Sequence, residues 1–214
     1  SLLTQWDCYF AGGTAIAMTH GEYRESVDID FLCASQQGYS QLRSALHFLT
    51  LAPLLPAGSS VQVLRDVRAD MYGVRTMLGF EDLKIKFEIV FESRIALSGE
   101  ASPDLGVPVL SVTDMFAEKL LANADRGIDS SVFDRDMIDL LSLKLVHKNV
   151  PDAAWHKARK AYGTSIDRAL LQGLTRLHNA PWLTRCCESM AIDTAHQAAL
   201  YKEATAWLKA SPTP

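Results

Sequence analysis

Phe10-Ala11-Gly12-Gly13-Thr14-Ala15, followed a few residues later by Arg24-Glu25-Ser26-Val27-Asp28-Ile29-Asp30-Phe31, decides how the rest of the chain is read. Phe10 and Ala11 before the glycines, and Val27, Ile29, Phe31 and Leu32 after them, predict two buried strand ends. Thr14 to His20 between them predicts a short apolar helix. A strand running through Gly-Gly into a helix leaves unpaired backbone N–H groups and a positive dipole end. Such an end accepts a phosphate, and glycine allows close approach to the backbone. Asp28 and Asp30, two apart on a strand, send both carboxylates from one face. Two adjacent carboxylates repel unless a cation lies between them, and Mg²⁺ together with substrate phosphates is the usual one. That combination points to phosphoryl or nucleotidyl transfer.

The bulk properties set the frame. The 214 residues suffice for one large domain or two small ones, and 48% hydrophobic with 21% charged residues describes an ordinary globular chain. A net charge of −4 argues against strong nonspecific nucleic-acid binding, while leaving room for a local basic groove. Cys8, Cys33, Cys186 and Cys187 show no zinc spacing and no disulfide framework, which fits a cytoplasmic protein, and Cys8 and Cys33, in the presumed strands near the opening motif, are expected to be buried free thiols. No apolar run reaches the length of a membrane span and no signal peptide is visible, so no membrane partner is expected. The chain opens without a methionine and almost at the first strand, which suggests that an N-terminal helix has been trimmed away.

In chain order, Gln36 to Leu51 has helical spacing at Leu42, Ala45, Leu46 and Leu49, and Pro53, Pro56 and Gly58 then make a loop. Three strands are predicted, at Val61 to Asp66, Met71 to Leu78 and Leu83 to Glu92, with Gly79 to Asp82 as the hairpin connection. On the third strand Lys84, Lys86, Glu88 and Val90 share a face. A charged edge that discourages aggregation explains such a row on its own. Beside a paired-Asp strand the same row reads differently, with Glu88 as a third carboxylate, Lys86 toward phosphate and Arg75 close by. Ser98 to Val109, bearing Gly99, Pro103, Gly106 and Pro108, reads as a linker and places a boundary between 1–108 and 109–214.

The remainder reads as helices. Ser111 to Asp114 resembles a capping box, and Phe116, Ala117, Leu120 and Leu121 form the apolar stripe of the helix that carries Lys119. Phe133 to Leu145 follows, with Asp136 and Asp139 three apart on one face. Further helices are expected at 152–161, 165–177, 181–190 and 194–208, and the last four residues should fray. Taken singly, Lys119 is a solvated lysine and Arg135-Asp136 a surface pair. The fold class expected is α+β, a small mixed sheet with flanking helices followed by a C-terminal helical bundle.

With these residues in view, the chain resembles the AbiEii/AbiGii-toxin-type nucleotidyltransferases of the DNA polymerase β-like superfamily. Phe10 to Ala15 with Arg24 to Phe31 is similar to that family's first motif, and Ile85-Lys86-Phe87-Glu88-Ile89 to its third acidic strand. Here Glu stands for Asp and lengthens that ligand by one methylene. Asp114 with Lys119-Leu120-Leu121-Ala122 resembles the lysine motif, and Arg135-Asp136-Met137-Ile138-Asp139-Leu140 the closing Arg-Asp-x-x-Asp motif. The resemblance covers residues 8 to about 145.

It implies a catalytic set of Asp28, Asp30, Glu88, Lys119 and Asp136, with Asp28, Asp30 and Glu88 as ligands to Mg²⁺ or Mn²⁺. Gly12, Gly13, Thr14, Arg24, Ser26, Lys86 and Asp139 would bind the nucleotide. The implied partners are a nucleoside triphosphate, an acceptor hydroxyl on RNA, a tRNA end or protein, and an antitoxin. A small hydroxylated acceptor of the aminoglycoside kind and a non-catalytic nucleotide-binding module are the competing readings. On the main reading the nucleotide lies between a sheet half and a helical half.

Overall fold

A computed structural model describes residues 1–46 and 50–211 of the chain. Leu49 and residues 212–214, for which a helical position and a frayed tail were expected, lie outside these. The chain divides into two units, Ser1–Ala15 with Val27–Ser111, and Ile16–Ser26 with Val112–Pro214.

In the first unit a short helix α1 (Leu2–Gln5) leads into β1 (Cys8–Ala11), and Gly12 opens α2 (Gly12–Thr19). β2 (Ile29–Cys33) pairs antiparallel with β1, setting Phe10 opposite Phe31 and Ala11 opposite Asp30. After α3 (Gln36–Ala45) come β3 (Gln62–Val63), β4 (Arg68–Ala69), β5 (Gly73–Phe80) and β6 (Leu83–Phe91). β6 lies parallel to β2 and antiparallel to β5, and both β3 and β4 pair with the other edge of β5. β7 (Gly99–Ala101) and β8 (Pro108–Leu110) form a hairpin whose second strand runs parallel to β1. The mixed sheet among the described residues runs β3-β5-β6-β2-β1-β8-β7.

Alternation accounts for its two faces. Phe10, Phe31, Phe87 and Ile89 fall on one side and are buried, with ring centroids 5.5 Å apart for Phe10–Phe31 and 6.2 Å for Phe31–Phe87. The other side carries Asp30 and Glu88. The N-terminus of α3 is capped by Ser35, whose Oγ accepts the Gly38 N–H at 3.0 Å.

Four expectations change. Ser98 to Val109 is not a linker but contributes two strands: Gly106 makes the turn at φ +67°, and Pro108 takes the first position of β8, where a missing N–H is tolerated. The strand expected over Val61 to Asp66 shrinks to Gln62–Val63, both exposed. Met71 and Tyr72 fall outside β5, because the Asp70 Oδ1 accepts the N–H groups of Tyr72 and Gly73 and holds a turn there. Val27 is 57% exposed rather than buried.

In the second unit, α4 (Val112–Arg126) is packed by α5 (Arg135–His147), α6 (Asp152–Tyr162) and α7 (Ser165–Leu177). α8 (Ala180–Ser189) and α9 (Thr194–Ala210) complete the bundle, α9 packing on α5, α7 and α8. Phe116, Leu120, Leu121, Met137, Ile138, Leu140 and Leu141 form its core. Because α4 has neighbours on several sides, even Lys119 and Asn123 are buried, so the solvated reading of Lys119 fails. α5 begins at Arg135 and not at Phe133. Phe133 and Asp134 are both left-handed, at φ 52° and 48°, and the Asp134 carboxylate accepts from Arg176 Nε at 3.0 Å and Trp182 Nε1 at 2.7 Å. Ser211, expected to fray, is tied by its N–H and hydroxyl to the Trp207 carbonyl, both at 3.0 Å. No helix among the described residues is long and apolar enough to cross a membrane.

Candidate active site

Register sets a row of charged residues on the sheet of the first unit. Arg68 of β4 lies opposite Arg75 of β5, Arg75 opposite Glu88 of β6, Glu88 opposite Asp30 of β2, and Asp30 opposite Ala11 of β1. Residues opposite one another share a face, so Arg68, Arg75, Glu88 and Asp30 form one row across four strands. Arg75 Nε donates to Glu88 Oε1 at 3.0 Å, and Lys86 Nζ to Glu88 Oε2 at 2.5 Å. Arg75 Nη1 also lies 3.6 Å from an Asp70 carboxylate oxygen.

Gly12 stands at the end of that row. At φ +74° it takes a conformation that glycine adopts freely, and a Cβ there would come within 2.7 Å of Asp30 Oδ2. The group that approaches the backbone at the start of α2 is thus Asp30 itself. Gly13 is half-buried and Thr14 buried beside it. Asp28 corrects an expectation: it lies one residue ahead of β2, so the period-two argument joining it to Asp30 does not hold. Asp30's carboxylate neighbour across the sheet is Glu88. Among the described residues no three His, Cys, Asp or Glu side chains converge on a ready-made metal cage. The Asp30–Glu88 pair still fits Mg²⁺, which takes one or two carboxylates and fills its remaining positions with water and phosphate oxygen.

The helical unit carries a separate network of its own. Lys119 Nζ lies 2.9 Å from Asp136 Oδ1 and 2.7 Å from Asp139 Oδ2. Arg126 grips Asp136 with two bonds, Nε to Oδ2 at 2.6 Å and Nη2 to Oδ1 at 2.9 Å. Arg24 grips Asp139 in the same way, at 2.7 and 3.2 Å, and the Tyr23 hydroxyl donates to Asp139 Oδ1 at 2.6 Å. Burial disfavours charge at Lys119, Asp136, Asp139 and Arg24, yet the partners prevail. Asp136 and Asp139 are held below the usual carboxylate range, and Lys119 is raised above the ordinary lysine value by the two aspartates. Burial and then the Asp139 charge push the Tyr23 phenol well up, so it stays a donor.

Arg24, expected at the phosphates, is therefore engaged by Asp139, and Lys119 by two carboxylates. Ser26 lies half-buried in the segment ahead of β2. Arg126 and Tyr23 were missed by sequence reasoning. Arg126 carried a signal, standing seven residues after Lys119 on the same helical face. Tyr23 carried none beyond adjacency to Arg24.

Solved structures and a family model resemble the chain. A protein from H. pylori described as a nucleotidyltransferase is similar over 98% of this chain and 89% of its own, with a TM-score of 0.50 at 16% identity. JHP933 from Helicobacter pylori gives 0.49 at 16% identity, over 98% and 87% of the two chains. An antigenic nucleotidyltransferase-like protein from Paracoccidioides brasiliensis gives 0.48 at 15% identity, over 90% of each. At these identities the likeness is one of fold. No curated protein sequence matches the chain. The family model for the nucleotidyl transferase AbiEii toxin of type IV toxin–antitoxin systems matches residues 5–203. The chain therefore belongs to the AbiEii nucleotidyltransferase toxin family.

Proposed function

We propose that this nucleotidyltransferase moves a nucleoside monophosphate from a nucleoside triphosphate to a hydroxyl on RNA, a tRNA end or a protein, with Mg²⁺ or Mn²⁺ held by Asp30 and Glu88. The observation that carries the reading is the register pairing of Asp30 with Glu88 on the polar face of the sheet. Asp28, in the segment just ahead of β2, would supply a third carboxylate once a cation draws it in. A divalent cation bound there neutralises phosphate charge and favours displacement at phosphorus.

The acceptor oxygen attacks the α-phosphorus, the bond to the bridging oxygen of the β-phosphate breaks, and pyrophosphate leaves. The acceptor proton passes to a carboxylate of the row, for which Glu88 is the candidate. Gly12, Gly13 and Thr14 supply backbone donors to the phosphates, and Lys86 and Ser26 supply side-chain donors. Lys119, Asp136 and Asp139 act by position, fixing Arg24 and the segment that leads to Asp28. As in other type IV systems, an antitoxin encoded elsewhere would oppose the activity.

The test is incubation with Mg²⁺, each labelled nucleoside triphosphate and total cell extract, reading pyrophosphate and label in RNA or protein. Asp28→Asn and Asp30→Asn should each lower transfer at least roughly a hundredfold with the circular dichroism spectrum unchanged, since a bound cation supplies several kcal/mol at the transition state. Undiminished transfer by either variant would sink the assigned site. Nucleotide binding without pyrophosphate would favour a non-catalytic module.

A further inference from the structure

Beyond Glu88 the polar row of the sheet continues into a cavity of about 780 Å³, within the size range of ligand pockets. Arg65, Arg68, Arg75 and Lys86 line it, against the carboxylates of Asp66 and Glu88. Two features set it apart from a solvated charged edge. Arg68 and Arg75 are directly opposed across β4 and β5, an arrangement of like charges that destabilises a sheet unless an anion lies between them. Among the described residues Arg65 and Arg68 have no carboxylate partner, while Lys86 is paired with Glu88 and Arg75 with Glu88 and Asp70.

The backbone of the cavity is also fixed. The Thr76 hydroxyl donates to the Arg65 carbonyl at 2.7 Å, and the Tyr39 hydroxyl to the Asp70 carbonyl at 2.7 Å. The two arginines without carboxylate partners therefore sit on anchored segments, not on a free loop.

We infer that this cavity is a phosphate-ester binding site, in which Arg65 and Arg68 hold the oxyanion and Arg75 joins them when its carboxylate is claimed by a cation. Guanidinium suits the task because its planar fork matches two phosphate oxygens at once. The oxyanion comes either from the polyphosphate of a nucleotide or from the phosphodiester backbone of a strand. The exchange at Arg75 rests on the reading of Asp30 and Glu88 as cation ligands; the contribution of Arg65 and Arg68 does not.

The experiment measures binding of inorganic tripolyphosphate, and separately of a 3′-blocked single-stranded RNA oligonucleotide, to the full chain with and without Mg²⁺. The wild type is compared with Arg65→Ala/Arg68→Ala, with the gentler Arg65→Gln/Arg68→Gln, and with Asp30→Asn. Both arginines are exposed, so the melting temperatures of the arginine variants should agree with the wild type. The double variants should lose affinity by about tenfold per arginine. Loss toward tripolyphosphate assigns the site to the nucleotide. Loss toward RNA, with the salt slope reduced by about two, assigns it to a strand. Wild-type affinity for both probes in both double variants overturns the proposal. Mg²⁺ should tighten oxyanion binding to the wild type and not to Asp30→Asn. If it tightens neither while the arginine effect persists, the cation reading fails and the oxyanion site stands.

Discussion

Glu88 and Asp139 are each a carboxylate held by one lysine and one arginine, and they are built for opposite purposes. Glu88 takes Arg75 and Lys86, whose side chains are 39% and 48% exposed, and is itself 16% exposed. Asp139 takes Arg24 and Lys119, which are 6% and 7% exposed, and is itself 0% exposed. Ions paired in water lose little by parting, because water replaces the partner. Ions paired in a dry interior have no substitute, and removing one leaves an uncompensated buried charge. The sheet pair can therefore give up its cations to a ligand, whereas the helical pair is permanent structure. The same side-chain chemistry serves exchange in one unit and fixation in the other, and the difference is set by water.

The sharpest way to break that contrast is Lys119→Met. It leaves Asp136 and Asp139 sharing a dry pocket with only their arginines and Tyr23, and should cost about 3–5 kcal/mol. For a chain of this length that corresponds to a melting temperature lower by on the order of 10 °C. A thermal melt followed by tryptophan fluorescence reports the helical unit well, since Trp155, Trp182 and Trp207 lie in it and only Trp6 lies in the other. A fall smaller than about 2 °C would mean that the network is not the anchor its burial implies.

How much of this was legible depends on how far apart the partners stand in the chain. The β1–α2–β2 stretch and the β5–β6 pair declare themselves through local alternation, and the lysine helix through its apolar stripe. The pairing of Arg75 with Glu88 needed one more fact, the length of the turn. A four-residue connection from Gly79 to Asp82 would set Arg75 opposite Lys86. The observed turn of Glu81 and Asp82 alone, with Phe80 opposite Leu83, sets it opposite Glu88. Slipping by two keeps the face and changes the partner. β7 and β8 were hidden because three-residue strands flanked by Gly and Pro carry almost no periodicity. Arg24 and Asp139 are separated by 115 residues, so only the tertiary fold could pair them. For that reason Arg24 reads from sequence as a phosphate ligand.

Acid and alkali probe the same network from both ends. Asp136 and Asp139 have folded-state values depressed below the usual carboxylate range, so their contribution is complete above about pH 4, the unfolded aspartate value, and is lost as pH falls through the folded values. Lys119 is raised, so its contribution is complete below about pH 10.4 and is lost as pH rises through its folded value. Stability of the helical unit should therefore form a plateau between those limits and fall on either side. Tryptophan-monitored denaturant titrations across pH would trace it. In Lys119→Met the alkaline limb should shrink to the part that Tyr23 contributes, since its phenol is also raised, while the acid limb remains. An alkaline limb of undiminished size would take Lys119 out of it.

Lys86→Ala is the smallest expected effect and the strictest control. It removes a lysine–carboxylate contact of 2.5 Å, shorter on paper than either contact of Lys119. If contact distance governed strength, this variant would be the more damaging of the two. Solvent governs instead: Lys86 is about half exposed, Glu88 keeps Arg75, and a surface pair contributes roughly 0–1 kcal/mol. The melting temperature should move by no more than about 4 °C. What remains of the pair is then screened further by salt, so raising ionic strength should shrink the gap between wild type and Lys86→Ala. The gap between wild type and Lys119→Met should persist under the same salt. Equal losses for the two lysines, or equal salt dependence, would show that burial does not separate the two units in the way their geometry implies.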